Sequence, residues 1–211
     1  NIRAKLEAEQ GAESGLLVVA DQQTAGRGRR GRGWESPSGS NIYYTLMLKP
    51  DFNADCAPML TLVMALAVAK GIRQTLGRGS EEGAAKVGIK WPNDIVLDGK
   101  KVCGILTEMS MEQAYIHHIV IGVGINVRRQ EFPEEIRDRA AAIEEQCGFR
   151  ISRSQLIADI IEAFEEDYEI FLQTHDLKRL RDSYEKLLVN RDREVCVLDP
   201  KGEYRGIARG I

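Results

Sequence analysis

Eight consecutive residues, Gly26 to Gly33, consist only of four glycines and four arginines. Arg27, Arg29, Arg30 and Arg32 place four guanidinium groups within six positions. The charges repel one another, and the glycines cost backbone entropy whenever the segment is ordered. A packed core gains nothing from such a run. An anion gains much from it, because glycine N–H groups can turn inward and guanidinium forks can grip phosphate or carboxylate oxygens. The expected chemistry is phosphate handling by a loop that is mobile until its anion arrives. No G-x-x-x-x-G-K-[ST] run occurs, so the loop is not a P-loop.

Three further stretches offer chemistry. Lys101 follows the turn signal Asp98-Gly99, so a hairpin would aim it to one face and Lys100 to the other. Lys90-Trp-Pro-Asn-Asp94 brings a carboxylate suited to a hard cation, although it also reads as a plain Pro-Asn-Asp turn. Gly122-Val-Gly-Ile-Asn126 leaves backbone that a ligand ring could approach closely, or a bulged strand end. His117 and His118 are adjacent, so on a regular strand they point to opposite faces and take structural roles.

The elements that must position these groups follow from period and punctuation. A helix is expected over Ile2–Gln10, a buried strand at Leu16–Ala20 and another at Ile42–Leu48. Asp55–Leu76, with Pro58 in its first turn, reads as the best internal helix, and 77–85 reads as a loop. Ile95–Leu97 and Val102–Leu106 flank the Asp98-Gly99 turn, and Tyr115–Val123 gives a further strand. Ser152 and Gln155 form a capping box before Leu156, Ile157, Ile160, Ile161 and Phe164. A second helix is expected over Asp176–Leu188, then a hairpin of Glu194–Leu198 and Tyr204–Ala208 around Asp199-Pro-Lys-Gly202. Strands arriving as hairpins, with helices grouped between them, point to an α+β fold: a mixed, largely antiparallel sheet packed with helices.

The chain has 211 residues, 43% of them hydrophobic and 29% charged, with a net charge of −3. That balance excludes wholesale disorder and argues against a general nucleic-acid coat, so any cationic function must be local. The longest apolar stretch, Met59–Ala69, is too short for a membrane span, which needs about 20 apolar residues. With no signal peptide at its start, the chain is expected to be cytoplasmic. Cys56, Cys103, Cys147 and Cys196 contain no C-x-x-C pair, so reduced, buried thiols are expected rather than a zinc site. The start at Asn1, directly before a helix, and the stop at Ile211 within a strand suggest that flanking segments exist.

Four motifs in series carry a resemblance. Gln23-Thr-Ala-Gly-Arg-Gly-Arg-Arg-Gly-Arg-Gly-Trp34, with Ser36-Pro-Ser-Gly39 and Asn41-Ile-Tyr43, resembles the signature of biotin protein ligases. Lys90–Asp94, Lys101–Leu106 and Gly122–Asn126 are similar to the family's second, third and fourth motifs, in the same order. The resemblance implies a catalytic domain similar to class II synthetases over residues 1–189, followed over 190–211 by the first hairpin of a small SH3-like barrel. It implies activation of biotin with ATP and Mg2+ to biotinyl-5′-AMP, then transfer to one lysine of a biotin carboxyl carrier protein, typically that of acetyl-CoA carboxylase.

Residue by residue, the resemblance assigns Gln23, Gly26, Arg27, Arg29, Lys101, Gly122 and Gly124 to biotin. Lys101, Arg27 and Arg29 are its catalytic candidates, with Lys101 bridging carboxylate and α-phosphate and Arg29 also serving the nucleotide. Trp34, Lys90, Asn93, Asp94 and Asn126 fall to the nucleotide, with Asp94 as the magnesium candidate. Trp34 would fold down over the adenylate, while Arg30 and Arg32 would meet solvent or departing pyrophosphate. The family's Ser-Thr-Asn before the first helix is represented only by Asn1. A homodimer is compatible with the resemblance, and DNA enters only if a helix-turn-helix precedes Asn1. Two readings compete: a lipoate or octanoate ligase or transferase of the same fold, and a nucleic-acid-binding module using the arginine loop. The arginine-glycine loop with Lys90–Asp94 separates the first from the biotin branch, and the net charge of −3 weighs against the second.

Overall fold

Six strands form one antiparallel sheet: β1 (Leu16–Ala20), β2 (Ile42–Leu48), β3 (Val87–Lys90), β4 (Asp94–Leu97), β5 (Lys100–Glu112) and β6 (Tyr115–Ile125). Their order is β1-β2-β6-β5-β4-β3, so β5 and β6, the longest strands, lie at its centre. The computed structural model describes residues 1–113, 115–199 and 202–211. Its helices are α1 (Ile2–Glu9), α2 (Leu60–Gly77), α3 (Glu81–Ala85), α4 (Ile143–Cys147), α5 (Arg153–Thr174) and α6 (Arg181–Glu185).

Period-two alternation divides the sheet into two different faces. Ile42, Tyr44, Leu46 and Leu48 of β2, with Ile119, Ile121, Val123 and Ile125 of β6, join the apolar residues of α2 and α5 in the main core. On the opposite face Met47 and Val120 cluster with Ala4 and Ala8 of α1, and Tyr43, Thr45 and His118 are also buried. The remainder of that face carries Gly104, Gly122 and Gly124, and the cleft forms there.

Helices α2 and α5 pack closely because Gly71 has no side chain: a Cβ there would meet Ile160 Cγ1 at 2.5 Å. Two buried carboxylates tie the pair. Asp167 meets Lys70 at 2.6 Å, and burial holds its carboxyl above the usual range despite that ammonium. Asp159 accepts from Arg78 at 2.8 Å and Thr75 at 2.9 Å. Burial raises the Asp159 carboxyl, but the hydrogen bonds from Arg78, Gln155 and Thr75 outweigh it and leave the group below its ordinary value.

The expected turn between β4 and β5 forms, with Asp98 and Gly99 at φ 51° and 78°, as a type I′ hairpin requires. Four expectations need correction. Residues 54–59 form a 3₁₀ stretch with Pro58 inside it, so the α-helix starts at Leu60 rather than Asp55. The 77–85 segment contains α3, capped by Ser80 accepting from Gly83 N. The helix expected over Asp176–Leu188 is reduced to α6, because residues 187–189 leave the helical path to pair with β3: Ile89 N donates to Leu187 O at 2.7 Å and Val189 N to Ile89 O at 2.9 Å. His117 and His118 do not point apart. Ser110 pairs with His118 and Met111 with Ile116, so His117 is the extra residue of a bulge, and the two Nδ1 atoms lie 2.9 Å apart. Burial, then the neighbouring His117, pulls the His118 imidazole below its usual value.

The C-terminal strands β7 (Glu194–Asp199) and β8 (Gly202–Ile207) pair with each other as a separate two-stranded sheet. The expected turn residues 200 and 201 lie outside the described residues. All four cysteines are free, but Cys196 is exposed and only Cys103 is fully buried, so the expectation of uniformly buried thiols holds for Cys103 alone. The stretch Ala54–Gly77 is long and apolar enough to cross a membrane by composition, yet it serves as the core helix against α5.

Candidate active site

The floor of the cleft is a gap in side-chain cover on β5 and β6. Gly104 and Gly124 face each other in register, and Gly122 lies two residues farther along β6. No side chains rise from these positions, so a flat group can lie against the sheet. The cleft encloses about 460 Å³ including its open mouth. Its wall is the arginine-glycine segment, folded back on itself: Trp34 N donates to Gly26 O at 3.0 Å and Gly28 N to Arg32 O at 2.7 Å. Arg30 takes a left-handed φ of 58° to make this turn. Below the loop, Ser36 Oγ donates to Gln23 Oε1 at 2.6 Å, and Asp21 accepts from Gly39 N at 3.0 Å and from Arg153 of α5 at 3.1 Å. The base of the loop is therefore anchored to the main fold.

The cationic end of the cleft gathers residues from three separate stretches of sequence. Arg29 donates to Asn93 Oδ1 at 2.8 Å, and Asn93 Nδ2 in turn holds the Ile105 carbonyl at 3.0 Å. Lys101 Nζ lies 2.7 Å from Asp94 Oδ1, an ion pair that is off the hydrogen-bond direction. The ammonium also sits 5.4 Å from the Trp34 ring centre, within cation–π range. Arg27 completes the wall. Repulsion within the loop is relieved because its arginines diverge: Arg29 turns to Asn93, whereas Arg30 donates to the Leu198 carbonyl of β7 at 2.5 Å. Arg30 is exposed, so it meets solvent as expected while making this contact.

Trp34 lies on the glycine floor. A Cβ at Gly124 would meet its Nε1 at 2.6 Å, and one at Gly104 its Cζ3 at 3.0 Å. The indole N–H is buried with no acceptor among the described residues.

Eight of the residues singled out in the sequence line this one cleft: Gln23, Arg27, Arg29, Trp34, Asn93, Lys101, Gly122 and Gly124. Gly26 stands behind the wall, where a Cβ would meet Ser36 Oγ at 2.8 Å. Asp94 sits behind Lys101 as its counter-charge. Two are set apart. Lys90 is exposed at the end of β3, paired in register with Asp94 but outside the lining. Asn126 is buried beyond the end of β6, its N–H on Val102 O at 2.8 Å, also outside the lining. Tyr44 and Gly104 line the cleft without having been singled out; the alternation around Gly122–Asn126, applied to Lys101–Leu106, would have found Gly104.

As a metal site the residues fall short. Among the described residues no group of three or more His, Cys, Asp or Glu side chains gathers, and Asp94 faces an ammonium. A divalent cation would find one carboxylate here and would have to bring most of its oxygen ligands with it.

Sheet and loop together form a glycine-floored cleft with a cationic end. A family profile described as the biotin/lipoate A/B protein ligase family matches residues 3–126. The chain belongs to that family. It is 38% identical over 206 residues to the bifunctional ligase/repressor BirA of Bacillus subtilis (strain 168), covering 97% of this chain and 61% of that protein. It is 29% identical over 204 residues to a biotin–[acetyl-CoA-carboxylase] ligase of Paracoccus denitrificans, covering 95% of this chain and 82% of that one. Among solved structures, the biotin protein ligase of Aquifex aeolicus in complex with biotin and ATP superposes with a TM-score of 0.81 at 30% identity, covering 99% of this chain and 83% of that one. The chain thus spans about three fifths of the length of its Bacillus relative.

Proposed function

We propose that this chain carries the catalytic unit of an ATP-dependent biotin protein ligase. The carrying observation is the convergence of Arg29, Lys101 and Arg27 at one end of a glycine-floored cleft. In the first step a biotin carboxylate oxygen attacks the α-phosphorus of ATP, and the bond to pyrophosphate breaks. Two anions must approach each other, so fixed positive charge at their meeting point lowers the barrier. Lys101 is aimed there by the type I′ hairpin and Arg29 by Asn93. In the second step a lysine amine of the carrier attacks the acyl carbon, AMP leaves, and the amine loses a proton. Trp34 and the loop cover the intermediate between the steps, keeping water from the reactive mixed anhydride.

Magnesium belongs to this reading as part of the nucleotide substrate, with Asp94 the carboxylate able to reach it. Lys90 and Asn126 are read as contacts to the outer nucleotide. The biotin carboxyl carrier protein as acceptor is supported by the name of the Paracoccus relative. Residues 1–189 are read as the catalytic domain and 190–211 as the start of an SH3-like domain. A homodimer and a cytoplasmic location belong to the same proposal, and DNA enters only if a helix-turn-helix precedes Asn1, as in a bifunctional ligase/repressor such as the Bacillus relative. Biotin-dependent exchange of labelled pyrophosphate into ATP tests the first step directly. Exchange with biotin and none with lipoate or octanoate supports the reading; exchange with lipoate alone overturns it in favour of the lipoate branch.

A further inference from the structure

Asn1 closes the end of the cleft opposite Lys101, and its carboxamide is bonded at both ends. Nδ2 donates to Glu108 Oε2 at 2.6 Å, and Oδ1 accepts from Thr45 Oγ1 at 2.9 Å. The second oxygen of Glu108 accepts from Lys5 Nζ of α1 at 2.7 Å. Thr45 and Gly122 are register partners on β2 and β6, and a Cβ at Gly122 would collide with the Asn1 carboxamide. At this end of the cleft the Asn1 carboxamide rests on a glycine. It stands two residues along β6 from Gly124, on the order of 7 Å. Once Trp34 lifts from the floor to cover it, a ligand whose anion lies at Lys101 and whose body follows the floor meets Asn1 with its other end.

A carboxamide has two nearly isosteric ends, one donating and one accepting. Thr45 can donate its hydroxyl proton or accept, so it does not by itself decide which end faces it. Glu108 does, because an ionised carboxylate only accepts. Burial raises the Glu108 carboxyl, but the hydrogen bonds from Lys5 and Asn1 outweigh this and hold it below the usual range, ionised at neutral pH. With the amide reversed, its oxygen would face the carboxylate and both would be left without a proton.

We infer that Glu108 is a positioning residue: by fixing the place and orientation of the Asn1 carboxamide it sets the end wall of the cleft, and with it the affinity for the biotin head group. It touches none of the reacting atoms. The inference rests on the biotin-activation reading and adds to it the residue that governs recognition at the far end.

The test is a double-mutant cycle between Glu108→Ala and Asn1→Ala, read by biotin-dependent pyrophosphate exchange, with thermal melts run alongside. Glu108→Ala is expected to raise KM for biotin about tenfold or more, the scale of losing a charge-assisted bond. KM for ATP and kcat should stay within about twofold, because uniform binding is what is lost. In the Asn1→Ala background the same change should add nothing to KM for biotin. Glu108→Gln, which keeps an acceptor oxygen, should recover most of the affinity. Equal rises in both KM values, additivity in the cycle, or an unchanged KM for biotin would each overturn the assignment. Should Glu108→Ala be too unstable to assay, Glu108→Met, which keeps the bulk and loses the acceptor, takes its place: a shift confined to KM for biotin carries the inference and its absence overturns it. Wild-type chain that activates no biotin would overturn the functional reading itself, an outcome distinct from any of these.

Discussion

Gly124→Ala is the smallest change that addresses the seat of the indole. An added Cβ would lie 2.6 Å from Trp34 Nε1, 2.7 Å from Cε2 and 2.9 Å from Cζ2. Ordinary contact needs about 3.5–4.0 Å, so the ring must retreat by roughly 1 Å. Overpacking of this kind costs about 1–3 kcal/mol. The sheet itself need not change, because Gly124 has a strand conformation in β6 that alanine adopts freely. The cost therefore falls on the ligand-free seat of the indole and should appear as a loss of about 1–3 kcal/mol in stability. The assay is chemical denaturation of the ligand-free chain. Gly33→Ala is the control, since nothing lies within 4 Å of its Cβ position and no loss is expected. In a Trp34→Ala background, Gly124→Ala should cost little more, because the colliding ring is gone. Wild-type stability for Gly124→Ala would refute the reasoning, and so would an undiminished loss in the absence of Trp34.

Lys101→Ala should slow single-turnover adenylate formation by about 100-fold or more while changing biotin affinity far less, since its charge matters most as carboxylate meets phosphate; an unchanged rate removes it from the catalytic set. Arg29→Gly cuts the link to Asn93, so biotinyl-AMP should escape and label bystander lysines, visible by immunoblot on an added lysine-rich protein, whereas Arg32→Gly should leak less. The segment 26–34 should gain hydrogen-exchange protection when biotinyl-AMP is added, and equal protection in both states would count against ligand-driven ordering. Asp159 has a folded value below its unfolded one, so its stabilisation is present above the ordinary carboxylate range and is lost as pH falls through the folded value. Melts from pH 7 down to about pH 2 should therefore show a shallower acid decline for Asp159→Asn than for wild type; parallel curves would show that the Arg78 bridge contributes nothing.

Local signals in the sequence located the elements that hold the site. The Asp98-Gly99 turn, the N-cap at Ser152 and the glycine-arginine run each act over a few residues, and each appears where its chemistry requires, although the Gln155 side chain turns to Asp159 and leaves the capping box half formed. Gly122 and Gly124 met the loop residues in one cleft because they fall on alternate positions of a strand whose opposite face is apolar. What was not legible depends on contacts far apart in sequence. The helix expected over Asp176–Leu188 ends early because β3 offers an edge to residues 187–189, and no pattern within the helix announces that edge. The bulge at His117 is a matter of register between β5 and β6 and leaves no mark of composition. The pairing of Asn1 with Glu108 spans more than one hundred positions and joins a helix start to a mid-strand carboxylate that reads, in sequence, as a solvated face. Arg30, indistinguishable in the run from Arg29, differs only because its backbone turns left-handed and sends its side chain to Leu198.

The central claim is that this cleft makes and holds an acyl-adenylate at its cationic end. Native mass spectrometry of the chain after incubation with biotin, ATP and magnesium measures this in one step. The account predicts a retained mass corresponding to one biotinyl-AMP per chain, lost in Lys101→Ala and diminished in Arg29→Gly. A chain that binds biotin and ATP side by side and never gains the mass of the adenylate would contradict it.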